Sequence, residues 1–298
     1  MSERVCFIFN PSAGRGHSRQ QLDQIKQRAK QIWPTVEFKL TRFEEEIRKF
    51  AEQAAGRYDL VVACGGDGTI NQVVSGIAET DTPMGVLPLG SGNDFANAIG
   101  LSGDLDEAFD VLQSDHLRNT DLIRVKGDAD AWCANTLGIG LDGWANYYSS
   151  TFQKLRGQAI YIFGALKAVK EFRGSSMKLT IDGEETIEDL LMVTVCNGQE
   201  EGGGFKVAPG ADNSDGWIDL LIIEKLSRIR ILWYLPLFMI PSRKNLKGIR
   251  YHRCKSFSFE SEIPLAVHSD GELLGTEIQN LEIHLRPGLL KVKAPGTS

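Results

Sequence analysis

Apolar residues in the first 120 positions of the chain recur at two alternating spacings. Short continuous runs at Val5–Phe9, Leu60–Cys64 and Met84–Leu87 have the length of strands, Val36–Leu40 reads as another strand, and Leu60–Cys64 reads as buried on both faces. Between them, apolar positions three and four apart trace helix faces: Leu22, Ile25, Ala29, Ile32; Phe43, Ile47, Phe50, Ala54; Ile70, Val73, Val74, Ile77; and Leu105, Ala108, Phe109, Leu112. Trp33-Pro34 closes the first helix. Such alternation predicts an α/β domain: a parallel sheet with right-handed crossovers and helices on both faces.

Past Asp121 the period changes. Short apolar or alternating runs fall at about 130–138, 176–182, 187–197, 217–223, 254–260, 263–268, 278–285 and 289–293. Turn signals separate them at Asp182-Gly183, Gly202-Gly203-Gly204, Asp215-Gly216 and Asp270-Gly271, which predicts a mainly antiparallel β domain. Two apolar helical stretches, roughly 155–172 and 226–240, interrupt it. The boundary falls near 122–128, giving domains 1–124 and 125–285. Periodicity leaves open whether a last strand at about 286–298 returns to the first domain.

Three strand-to-helix loops in the first domain carry glycine and polar side chains: 10–16, 64–69 and 88–94. In a parallel sheet such loops gather at the carboxyl ends of the strands, so all three can face one ligand. Glycine lets backbone N–H groups approach a ligand, and a helix start adds partial positive charge, so Gly65-Gly66-Asp67-Gly68-Thr69 suits a phosphate. Asp67 places a carboxylate in the same turn. Beside a phosphate that is unfavourable unless a metal ion or a reacting hydroxyl lies between them. A glycine turn with a capping aspartate is the plain alternative. In the third loop Ser91, Asn93 and Asp94 offer a hydroxyl, an amide and a carboxylate within four residues.

Composition narrows the class. The 298 residues are 42% hydrophobic and 24% charged, and 31 glycines imply many turns. A net charge of −6 argues against a dedicated nucleic-acid binder. Cys6, Cys64, Cys133, Cys196 and Cys254 are odd in number and far apart, which suits reduced thiols in a cytoplasmic protein. Val5–Phe9 is too short for a signal peptide core, and no window of 18 apolar residues occurs.

These residues support a resemblance. Gly65-Gly66-Asp67-Gly68-Thr69 occurs in several kinase families, NAD kinases and phosphofructokinase-like enzymes among them. Joined to Pro88-Leu89-Gly90-Ser91-Gly92-Asn93-Asp94-Phe95-Ala96, the early Asn10-Pro11 and the late Asp270-Gly271-Glu272, it closely resembles the diacylglycerol kinase catalytic family, the DgkB/YegS type above all. The stretch Asn197-Gly198 to Gly202-Gly203-Gly204, Ala208-Pro209 and Asp215-Gly216 is similar to the same branch.

The resemblance implies an NAD kinase/phosphofructokinase-like N-terminal α/β domain, a β-sandwich C-terminal domain, and an active site between them. It implies ATP at Asn10, Pro11, Ser12, Ala13, Gly14, Thr41, Gly65, Gly66, Asp67, Gly68, Thr69, Ile70, Asn71, Gln72 and Ser91, where Ser91 replaces the usual threonine. A structural Mg²⁺ is implied at Asp212, Asp215 and the backbone carbonyl of Trp217, although an Asx turn explains that segment equally well. Asp67 would reach the Mg²⁺ of the nucleotide, and Glu272 would be the base that takes the acceptor's proton. Spacing alone does not choose Glu272, because Asp182-Gly183-Glu184 is the same tripeptide, there read as a hairpin turn. Asp94 and Asp121 match acidic family positions, with a cap or turn as the alternative role.

The activity so implied is an ATP-dependent kinase of a glycerolipid hydroxyl, such as that of diacylglycerol or phosphatidylglycerol. A kinase of a soluble acceptor such as NAD and a non-enzymatic nucleotide- or lipid-sensing regulator are the rivals. The partner would be lipid at the inner face of the cell membrane, and a homodimer is admitted. Apolar Ile229–Ile240 precedes Ser242–Lys255, which carries Arg243, Lys244, Lys247, Arg250, Arg253 and Lys255 and no acid. That pairing suits docking on an anionic bilayer, and a core helix followed by a solvated strand and loop is the alternative.

Overall fold

The computed structural model describes residues 3–152, 158–240 and 246–296. The chain divides into two compact units, Met1–Asp121 with Gly288–Ser298, and Leu122–Pro287.

In the first unit strands and helices alternate: β1 Arg4–Phe9, α1 Ser18–Ile32, β2 Thr35–Leu40, α2 Glu45–Ala54, β3 Leu60–Gly65, α3 Asp67–Ile77, β4 Met84–Pro88, α4 Asp94–Ala98 and α5 Leu105–Gln113. β1 pairs in parallel with both β2 and β3, and β3 pairs in parallel with β4. Both faces are covered. On one face Val5, Phe7, Phe9, Leu60, Val62 and Cys64 pack with Ile25, Ala29 and Trp33 and with Ala108, Phe109 and Leu112 of α5 in a single core. The alternate residues Cys6, Ile8, Val61 and Ala63 are also fully buried. α2 and α3 pack so tightly that a Cβ on Gly76 would lie 2.6 Å from the Ala51 methyl.

β5, Leu117–Gly127, leads into the second unit. There follow β6 Ala131–Cys133, β7 Thr136–Gly140, α6 Leu141–Ser150, α7 Gln158–Glu171, β8 Ser175–Ile181, β9 Glu184–Cys196, β10 Ile218–Glu224, α8 Arg228–Tyr234, β11 Ile249–Cys254, β12 Ser256–Ser269 and β13 Glu272–Lys293. The ladders are antiparallel, in the order β11-β10-β9-β7-β12-β13, with β8 joined to both β9 and β12. β9 and β12 each serve two ladders. The first half of β9 pairs with β8 and its second half with β7 and β10. β12 pairs with β8 near its start and with β7 near its end. Long strands that change partners in this way give a sandwich-like core. The end of β13 re-enters the first unit, where Val292 pairs in parallel with Met84 of β4.

Several expectations are corrected. The runs at 278–285 and 289–293 are one strand, β13, as are most of 254–260 and all of 263–268 in β12. α6 was not expected; its Leu141, Asp142, Gly143, Trp144, Ala145 and Asn146 show no continuous apolar stripe. The stretch 226–240 is not one helix. α8 ends at Tyr234, and Pro236 starts a 3₁₀ turn over Leu235–Met239, because proline cannot donate within a helix. In the stretch 155–172, positions 155–157 lie outside the described residues, as do Arg243 and Lys244 of the cationic run.

Candidate active site

In the first unit, β1, β3 and β4 are neighbours that end at the same edge, so their loops meet. Asn10 follows β1. Its N–H donates to the Cys64 carbonyl (3.0 Å), its side-chain carbonyl accepts from Ser12 N–H (2.9 Å), and its Nδ2 donates to Thr69 Oγ1 (3.0 Å). Asn10 thereby ties the first loop to the second. Gly14 and Arg15 adopt left-handed backbone, and a Cβ on Gly14 would lie 2.7 Å from the Leu89 carbonyl oxygen of the third loop.

Asp67 ties the second loop to the third. Its Oδ2 accepts from Asn93 N–H (2.8 Å) and its Oδ1 from Phe95 N–H (3.3 Å). Asn93 itself is left-handed (φ 58°), and its side-chain carbonyl accepts from Gly90 N–H (2.9 Å). The backbones of Gly66 and Gly90 nearly touch: a Cβ on Gly90 would lie 2.5 Å from Gly66 Cα. Nothing larger than glycine fits. Gly66, the N-cap of α3, makes no side-chain cap hydrogen bond, and the positive end of the helix dipole lies at this turn. A glycine cradle at an uncapped helix start fits a polyphosphate.

The remaining nucleotide candidates sit around this cradle. Pro11, Ser12 and Ala13 belong to the first loop and Ser91 to the third. Thr41 closes β2 with both its N–H (3.0 Å) and its hydroxyl (3.4 Å) donating to the Phe9 carbonyl. Gly65, Gly68, Ile70, Asn71 and Gln72 lie on β3 and α3, and there Ile70 is a core residue. Asp94 starts α4 and is buried. Asp121 is buried and accepts from Gly288 N–H (2.7 Å), so it fastens the returning end of β13.

In the second unit, Glu272 follows a hairpin turn in which Asp270 (φ 50°) and Gly271 (φ 85°) are both left-handed. The Asp270 carboxylate is buried and accepts from the N–H groups of Ala134 (2.8 Å), Asn135 (2.8 Å) and Thr136 (3.0 Å). The twin tripeptide forms the same turn, with Asp182 at φ 49° and Gly183 at φ 90°. Asp182 accepts from Lys255 and Ser256 N–H, which holds its carboxyl below the usual range against the opposing effect of burial. Glu184 is exposed, whereas Glu272 is half-buried.

Asp212, Asp215 and Trp217 lie on one turn. Asp212 accepts from Ser214 N–H (3.0 Å) and Asp215 from Trp217 N–H (3.0 Å). Asp215 is also ion-paired with Arg253, whose guanidinium lies 5.4 Å from the Trp217 ring centroid. The all-oxygen donor set fits a hard cation. A cation here would take the charge-compensating place that Arg253 fills.

Asp142, Asn146 and His268 were not singled out from sequence. Gly140-Leu141-Asp142-Gly143 was the available signal for Asp142, since glycines flanking an acid mark close packing. Burial pushes the Asp142 carboxyl up, but His268, Thr194 and Glu201 outweigh it and hold the carboxyl below the usual range.

Comparison with known proteins agrees with this geometry. The diacylglycerol kinase catalytic domain model matches residues 4–125, and the YegS C-terminal NAD kinase beta sandwich-like domain model matches residues 135–294. A diacylglycerol kinase of Bacillus subtilis (strain 168) is 28% identical over 300 residues, 98% of each chain. One from Mycobacterium tuberculosis is 26% identical over 277 residues, 90% of this chain and 88% of its own. A diacylglycerol kinase structure from Bacillus anthracis str. Sterne shares the fold with a TM-score of 0.75 at 24% identity, over 99% of this chain and 97% of that one. An NAD kinase from Archaeoglobus fulgidus, solved in complex with ATP, shares it more distantly, with a TM-score of 0.55 at 12% identity over 97% and 93% of the two chains. With both domain models matched in order, and the second alone covering more than half its length, the chain belongs to the diacylglycerol kinase family of the DgkB/YegS type.

Proposed function

We propose that this protein is an ATP-dependent lipid kinase that moves the γ-phosphate of ATP to a hydroxyl of a glycerolipid such as diacylglycerol or phosphatidylglycerol. One observation carries the nucleotide half of the reading: Gly66 and Gly90 in backbone contact at the uncapped start of α3, with Asp67 bridging the two loops. Family membership supports the lipid half.

Phosphoryl transfer asks a protein mainly for positioning and charge stabilisation. Asn10, Asp67 and Asn93 set the three loops in one arrangement, so the N–H groups at the start of α3 are preorganised for phosphate. Mg²⁺ supplies neutralisation of the phosphate charge when bound; Asp67 has lone pairs to offer the nucleotide's ion, and Asp212, Asp215 and the Trp217 carbonyl would hold a structural one. Glu272 takes the hydroxyl proton as the new P–O bond forms and ADP leaves.

The deciding experiment is a lipid panel with labelled ATP, comparing wild type with Asp67→Ala and Glu272→Ala. The reading expects transfer to at least one glycerolipid and a loss of about a hundredfold or more in each variant, the usual scale for a positioned acid or base. Transfer to NAD and to no lipid would overturn it.

A further inference from the structure

The turn before Glu272 is gripped by side chains on both of its peptide groups. Asn146 Nδ2 of α6 donates to the Gly271 carbonyl (2.7 Å), and the Gly271 N–H donates to His268 Nδ1 (3.4 Å). A backbone N–H can only donate, so Nδ1 presents its lone pair to the turn and Nε2 is the nitrogen left to face Asp142. Nε2 faces Asp142 Oδ1 at 3.4 Å, and Asp142 Oδ2 accepts from Thr194 Oγ1 (2.8 Å). A chain of hydrogen bonds thus runs from β9 through α6 and β12 into the backbone beside Glu272. His268 is only 4% exposed.

Two glycines make room for it. A Cβ on Gly138 of β7 would lie 2.3 Å from both Asp142 Oδ2 and His268 Nε2, and one on Gly143 would lie 2.0 Å from the Ala266 carbonyl oxygen.

Asp142, Glu201 and His268 also bring three ligand atoms within 4.8 Å of one another, a spacing that a cation could use. The hydrogen bonds speak against it. A metal on Nε2 would move the ring proton to Nδ1, where it would point at the Gly271 N–H, donor against donor.

We propose that His268, oriented by Asp142 and Thr194 and assisted by Asn146, is the positioning residue that fixes Glu272 for proton transfer, acting through Nδ1 as the acceptor for Gly271 N–H and not as a metal ligand. This rests on Glu272 being the base. Two near-isosteres separate the roles of the two ring nitrogens. In His268→Asn the amide oxygen stands near Nδ1 and keeps the acceptor for Gly271. In His268→Gln the amide nitrogen stands near Nε2, keeping the Asp142 partner and losing that acceptor.

The test measures lipid phosphorylation and thermal unfolding for both variants, with Glu272→Ala as reference. His268→Gln is expected to lower kcat about tenfold with KM for ATP unchanged, His268→Asn to stay within about threefold of wild type, and His268→Gln to add no loss in the Glu272→Ala background. Equal kcat in the two variants, or a wild-type kcat in His268→Gln, overturns the inference. Wild-type transfer by Glu272→Ala would instead overturn the base assignment beneath it. Should His268→Gln not fold, Asn146→Ala loosens the other side of the turn. A kcat about threefold lower with KM for ATP unchanged supports the inference, and an unchanged kcat overturns it. Calorimetry with Mg²⁺ or Zn²⁺ alone completes the test: binding in wild type that Asp142→Asn abolishes would restore the metal site and overturn the positioning role of His268.

Discussion

Two copies of Asp-Gly-Glu show how much a residue's meaning depends on where its carboxylate goes. Asp182 and Asp270 share a turn and a left-handed backbone, yet Asp270 is buried against three N–H donors while Asp182 serves an exposed corner. Removing an acceptor strands buried donors, at about 1–3 kcal/mol for each group left unsatisfied. Asp270→Ala should therefore cost about 3 kcal/mol or more in urea unfolding, and Asp182→Ala about 1 kcal/mol, since water replaces its partners. Equal costs would mean that the Asp270 donors find other acceptors.

Asp142 makes a second prediction at this scale. Burial works against its charge, but His268, Thr194 and Glu201 leave its folded carboxyl below the unfolded value of about 3.9. The sign follows from linkage. A depressed carboxyl contributes stability above its unfolded pKa and loses it as pH falls through the folded one. Urea-derived stability should thus fall on acidification below about pH 4, and more shallowly in Asp142→Asn than in wild type.

At the scale of elements, the phosphate cradle depends on how closely two loops approach. The Cβ of Gly90→Ala would meet backbone at Gly66, with no side chain to yield. The loops must separate, and Asp67 then loses its grip on Asn93 and Phe95. We expect ATP affinity to fall at least about tenfold, or 1.4 kcal/mol, by calorimetry while circular dichroism stays unchanged.

The same scale revises the cationic run. Arg250 of β11 pairs with Glu188 at 2.5 Å and with Glu224 at 3.7 Å, and Arg253 pairs with Asp215 and with Asp219 at 3.6 Å. Acids distant in sequence thus pair two of its six cations. The apolar part behaves differently: Ile231 of α8 joins the core, while Ile229 is 72% exposed and Trp233 76%. Exposed Ile162, Phe163 and Leu166 of α7, which packs against α8, enlarge the apolar surface.

For the whole molecule, a lipid-phosphorylating enzyme must reach lipid in a bilayer, and we propose the exposed apolar side chains of α7 and α8 as the surface that does so. Among the described residues no helix is long and apolar enough to cross a membrane. We expect co-sedimentation with anionic vesicles. Ile229→Asp with Trp233→Asp should weaken it about tenfold, whereas charge reversal at Arg250 and Arg253, already paired, should weaken it less. Retained binding in the apolar variant would remove α8 from the docking surface.

Sequence by itself determined the alternation of strand and helix in the first unit, the antiparallel character of the second and the three glycine loops. Each rests on local periodicity or on glycine's backbone freedom, which neighbours in the chain reveal. Tertiary structure alone decided that β13 re-enters the first unit beside β4, that two identical tripeptides differ, and that His268, Asp142 and Thr194 form one chain of hydrogen bonds. Apart from the local bond between Gly271 and His268, these depend on contacts between residues about 50 to 210 positions apart, and no spacing within a window encodes such a contact. The turn of Asp67 lies between the two cases. Its chemistry is legible in five residues, but its hold on Asn93 and Phe95 exists only because β3 and β4 are neighbours in the sheet.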